Sequence, residues 1–146
     1  MISINEIIQD IEIIEDVQNR YHYLIELGKK LPSFPKEHMI EQNIVRGCAN
    51  TIWMTIDLKN KEDKDPSIFL NTASDSHIVS GLLYILKSIY DGKKVSETIT
   101  IDYLEIFQRL GLIEHLSQKR TAGLHIIVQK IQDLTKEYSN NNHKMV

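Results

Sequence analysis

The chain has 146 residues, of which 42% are hydrophobic, enough to fill a core. Seventeen basic residues against twenty acidic ones leave a formal charge of −3, and neither sign gathers into a long run, which argues against a nucleic-acid partner because phosphate binding needs clustered Lys and Arg. No window approaches the roughly 20 apolar residues of a membrane span, and the start Met1-Ile2-Ser3-Ile4-Asn5-Glu6 lacks the basic, then apolar, build of a signal peptide, so a cytoplasmic protein without a membrane partner is expected.

In chain order, Ile4, Ile7, Ile8 and Ile11 recur at three- and four-residue spacing and predict a short helix that breaks near Ile14-Glu15. Asp16 is a fitting N-cap for a second helix whose face carries Val17, Tyr21, Leu24, Ile25 and Leu27. Pro32 and Pro35 forbid its continuation. Asn43-Ile44-Val45-Arg46 reads as a short strand, Gly47-Cys48-Ala49 as a tight turn, and residues 51–58 as a strand rich in β-branched and aromatic side chains. The charged stretch 59–66 is an exposed hairpin loop rather than a domain linker, and residues 67–72 supply a third strand.

Ser74 and Asp75 offer caps to a helix whose Ile78, Val79, Leu82, Leu83, Ile85, Leu86 and Ile89 cover most of its circumference, as a central helix requires. A turn of helix over 95–99, a short helix over 102–110 closed by Gly111, and a long helix capped by Ser117 follow. Leu124, Ile127, Val128, Ile131 and Leu134 form the buried stripe of that last helix, and residues 139–146 read as a frayed polar tail. The expected fold is α+β, a single domain over 1–146 with a three-stranded antiparallel sheet packed against helices.

Cys48 is the only cysteine, so it forms no internal disulfide. It is a small buried hydrophobe, an intermolecular partner or a reactive thiol presented at a turn, where Gly47 permits close approach by another backbone. Basic residues nearby would lower its pKa, and Arg46 and Arg120 are the candidates.

The run Asn43-Ile-Val-Arg-Gly-Cys-Ala-Asn-Thr-Ile-Trp53 resembles the cysteine-loop signature of the SufE family of sulfur acceptors. Arg20-Tyr21-His22-Tyr23-Leu24-Ile25-Glu26-Leu27-Gly28-Lys29-Lys30-Leu31-Pro32 is similar to that family's N-terminal helix. Ser74-Asp75-Ser76-His77-Ile78-Val79-Ser80-Gly81-Leu82 is similar to its serine-aspartate helix start, and His115-Leu116-Ser117-Gln118-Lys119-Arg120-Thr121-Ala122-Gly123-Leu124 to its arginine-glycine motif. The four motifs keep their order over residues 16–131.

The resemblance implies a SufE/IscU-like sandwich fold. It implies that Cys48 takes persulfide sulfur from a SufS-type cysteine desulfurase, stimulates that enzyme, and passes the sulfur to a SufBCD-like scaffold complex for iron–sulfur cluster assembly. Arg46, Gly47, Asn50 and Arg120 would support the cysteine loop. No cofactor or metal is expected on this chain, the pyridoxal phosphate belonging to the desulfurase, and a homodimer is one assembly open to it. Whether a sulfur carrier of this sort counts as an enzyme is left open by the sequence.

Two other classes compete. A cysteine hydrolase or transferase would use His115 or His77 as base to Cys48, and an adaptor would only dock on a desulfurase. A cluster scaffold is disfavoured by the single thiol. Trp53 and Met54 read as core, and the six histidines show no metal-site spacing.

Overall fold

The computed structural model describes residues 2–144. Helix α1 (Ile4–Ile13) starts where the Ser3 hydroxyl accepts from the Glu6 N–H, and it buries Ile7, Ile8 and Ile11. Helix α2 (Val17–Lys29) starts at Asp16, whose carboxylate accepts from the Gln18 N–H at 3.2 Å, and it buries Leu24 and Leu27. Two single 3-10 turns, Lys36–His38 and Glu41–Asn43, carry the chain to the sheet.

Strands β1 (Ile52–Lys59) and β2 (Ser67–Ser74) pair antiparallel with Trp53 opposite Ala73 and Ile56 opposite Leu70. Alternation sets the sheet's two faces. Ile52, Met54, Ile56 and Leu58 of β1 and Ile68, Leu70 and Thr72 of β2 are buried, while Trp53 and Thr55 are half-buried and Asp57 is exposed. Helix α3 (His77–Tyr90) packs on β2, and the long helix α6 (Gln118–Lys144) packs on β1. The short helices α4 (Val95–Thr98) and α5 (Tyr103–Arg109) connect them.

Helix α3 is the centre of the fold. It buries Val79, residues 81–86, Ile89 and Tyr90, and α2 lies along it. The two helices approach closely because both carry glycine at the crossing. A Cβ on Gly28 would stand 2.8 Å from the Gly81 nitrogen, and a Cβ on Gly81 would collide with the Leu24 carbonyl.

The sheet differs from the sequence expectation in having two strands. The segment 43–46 makes one bridge, Ile44 to Trp53, and one backbone hydrogen bond, Val45 N to Ile52 O at 2.8 Å. Asn43 closes a 3-10 turn on one side, and Gly47 at φ +94° turns the chain on the other, so too little extended backbone lies between them to form a strand.

Three smaller expectations also move. Ser76, rather than Ser74 or Asp75, caps α3 by accepting from the Val79 N–H at 3.3 Å, and Ser74 instead accepts from Ser76 N. Trp53 faces away from the core that holds Met54, because adjacent strand residues point to opposite sides. Helix α6 continues past Ser139, which is buried, to Lys144; residues 145 and 146 lie outside the described part. Among the described residues no helix is long and apolar enough to cross a membrane.

Candidate functional site

The bridge at Ile44 and the hydrogen bond at Val45 close a loop, residues 46–51, with Cys48 near its tip. Gly47 occupies the left-handed region that side chains rarely adopt, and a Cβ there would also press on Ile126 Cδ1 at 3.2 Å. Glycine at 47 therefore turns the loop back against α6. Cys48 ends half-buried, its Sγ 3.9 Å from the carbonyl oxygen of Gly123, at the long end of an S–H···O contact.

Beside the thiol is a cavity of about 330 Å3. Its apolar wall comes from β1 (Ile52), α3 (Val79, Leu82) and α6 (Leu124, Ile127). Cys48, Ala49 and Asn50 form the loop side, and Ser117, Lys119, Arg120 and Gly123 the α6 side. The first turn of α6 is fixed by Ser117, whose hydroxyl accepts from the Arg120 N–H at 3.2 Å. Lys119 is exposed and Arg120 half-buried, and no ion pair with either is present among the described residues.

Burial pushes the Cys48 thiol up from its ordinary pKa. This corrects the expectation that flanking cations hold it down. Arg46 is not brought to the thiol: it is exposed and pairs with Glu41 at 3.0 Å. Arg120 lines the same cavity as Cys48, yet the thiol's shift comes from desolvation alone.

Of the loop residues singled out in the sequence, Cys48, Asn50 and Arg120 meet at the cavity, Gly47 shapes the approach, and Arg46 stands apart. His77 opens α3, is exposed, and does not line the cavity. The side chain of His115, in the 3-10 turn Ile113–His115, lies outside the described residues. Among the described residues no group of three or more His, Cys, Asp or Glu could hold a metal ion.

Lys119, Ser117 and the wall of Leu82, Leu124 and Ile127 were not read as site residues. For the α6 members Ser117, Leu124 and Ile127 the signal was the spacing: with Arg120 they recur at three and four residues and so share one helix face, whereas Lys119 and Leu82 carried no such signal. The apolar members of that face read equally well as ordinary core.

The family model described as SufE, Fe-S metabolism associated domain, matches residues 5–135. An uncharacterized SufE-like protein of Rhizobium meliloti is 40% identical over 132 residues, covering 90% of this chain and 94% of its own length. One of Rhizobium etli is 38% identical over 136 residues, covering 93% of this chain and 91% of its own.

Proposed function

This chain belongs to the SufE family and so to iron–sulfur metabolism, and on that premise we propose that Cys48 accepts persulfide sulfur from a SufS-type, pyridoxal-phosphate-dependent cysteine desulfurase. The thiolate of Cys48 attacks the terminal sulfur of the donor persulfide. The donor's S–S bond breaks, its cysteine leaves as thiolate, and Cys48 carries the sulfur as its own persulfide towards a SufBCD-like scaffold complex. The observation that carries this reading is the placement of the sole cysteine: near the tip of a loop tied down at Ile44 and Val45, with its Sγ turned inward beside a largely apolar cavity.

That placement fits a carrier better than a stand-alone catalyst. A half-buried thiol whose pKa burial raises reacts slowly with reagents that merely collide with it from solvent, which suits a carrier loaded by a donor held against it. A hydrolase would need a base within hydrogen-bond reach of Sγ, and no His, Asp or Glu lines the cavity among the described residues.

The test is to incubate the protein with a SufS-type desulfurase, pyridoxal phosphate and cysteine, without reductant, and to read the intact mass. A gain of one sulfur that disappears in Cys48→Ser is expected. Absence of the adduct with several desulfurases would overturn the reading, and desulfurase stimulation retained by Cys48→Ser would make the chain an adaptor.

A further inference from the structure

On the reading of Cys48 as a sulfur acceptor, we propose that the cavity beside it binds small persulfides carrying a carboxylate, and that these load Cys48 directly, without a partner protein.

The cavity, at about 330 Å3, lies at the small end of ligand sites, which run from roughly 300 to 1,000 Å3. It fits a molecule of amino-acid size. The apolar wall of Ile52, Leu82 and Ile127 suits the polarizable sulfur end of such a donor, and Cys48 itself forms part of the lining, so a bound donor meets the nucleophile inside the cavity.

Charge is distributed to match. The lining holds two cations, Lys119 and Arg120, and no carboxylate. Neither cation is engaged by an ion pair among the described residues, in contrast to Arg46, which Glu41 neutralises. An arginine among the residues lining a largely apolar cavity offers a planar carboxylate bidentate hydrogen bonding.

The step balances without an oxidant. Cys48 loses its proton to solvent, its sulfur lone pair forms a bond to the outer sulfur of the donor, and the donor's S–S bond breaks. The donor leaves as a thiolate that takes up a proton. One sulfane sulfur has moved and no net redox change has occurred.

The experiment uses the full chain and three donors of matched size: mercaptopropionate persulfide (anionic), mercaptoethanol persulfide (neutral) and cysteamine persulfide (cationic). Loading of Cys48 is followed by intact mass, each rate being divided by that of a small free thiol acceptor, which removes differences in intrinsic donor reactivity. The expected result is saturable loading by the anionic donor, faster than by the cationic one by about tenfold, as for one charge-assisted contact.

Arg120→Gln should raise the half-saturating concentration of the anionic donor by a similar factor and that of the neutral donor by much less, with Arg120→Lys recovering part of the anionic donor's loss. Propionate should compete on the wild-type chain, which keeps the test independent of any variant's folding. Loading that stays linear in donor concentration and indifferent to donor charge overturns the proposal. If a desulfurase loads Cys48 while the small donors do not, this inference fails and the carrier reading stands; if neither loads it, both fail.

Discussion

The sulfur of Cys48 lies 3.9 Å from the carbonyl oxygen of Gly123, at the long end of an S–H···O contact against α6. Burial there raises the thiol's pKa. The alkylation midpoint of the free protein should therefore lie above the roughly 8.5 of an unperturbed cysteine, and fall towards it in denaturant. Iodoacetamide rates measured across pH check this, and a midpoint below 8 would contradict it.

The same shift has a consequence for stability. The folded thiol holds its proton to higher pH than the unfolded one, so its contribution is fully present below about pH 8.5 and is lost as pH rises through the folded pKa. Denaturant melts of the wild type should weaken relative to Cys48→Ser above that pH. The two proteins should run parallel below it.

At the α2–α3 crossing, Gly81→Ala should destabilise by roughly 3 kcal/mol despite alanine's better helix propensity, because the new methyl meets the Leu24 carbonyl and one helix must move. Gly92→Ala is the comparison. Gly92 has φ +81° but open space around it, so only backbone strain of about 1 kcal/mol is expected. Urea midpoints separate the two costs.

At Leu70 the outer edge of β2 is closed by side chains from the end of α3, next to the backbone bonds that Ile68 makes with Gly92 and Lys93. Asp91 accepts from the Leu70 N–H at 2.8 Å, Lys87 donates to the Leu70 carbonyl, and the two form an ion pair at 2.9 Å, largely shielded from solvent. Asp91→Ala leaves the Leu70 N–H unpaired and a shielded ammonium without its counter-charge, held only by the Leu70 carbonyl, and should cost about 3 kcal/mol. Hydrogen exchange at Leu70 should accelerate selectively, and unchanged protection there would refute the role.

Gly47→Ala tests the loop. The substitution meets an unfavourable φ and contact with Ile126, together worth about 1–2 kcal/mol, and the loop should relax by lifting Cys48 off α6. Alkylation of Cys48 at neutral pH should then quicken while the melting temperature falls only slightly. Ile126→Val in the same chain removes part of the contact and should slow it again.

The helices were legible because periodicity and caps agree on them: Asp16 and Ser117 cap where the sequence places them, and the apolar face of α3 packs at the centre of the fold. The strand over 43–46 was misread because β-branched Ile44 and Val45 signal extended backbone but say nothing about how many partners it finds. Cys48 stood out as the sole thiol of a recognisable motif. Its environment did not, because the cavity beside it is assembled from Leu82, Leu124 and Ile127 on two helices far apart in sequence, and Arg46 looked like a neighbour only by its number.

On the carrier reading, in which the loop opens to deliver sulfur, the missing third strand bears on the reach of Cys48. Two interactions, the Ile44 bridge and the Val45 hydrogen bond, anchor the arm to β1 on the side before Cys48. Unfastening them adds two residues of slack, about 7 Å of reach at full extension, while the β1–β2 ladder stays intact. A fully zipped strand would have tethered the sulfur on a shorter leash, and delivery to a recessed acceptor would then have required breaking the sheet itself.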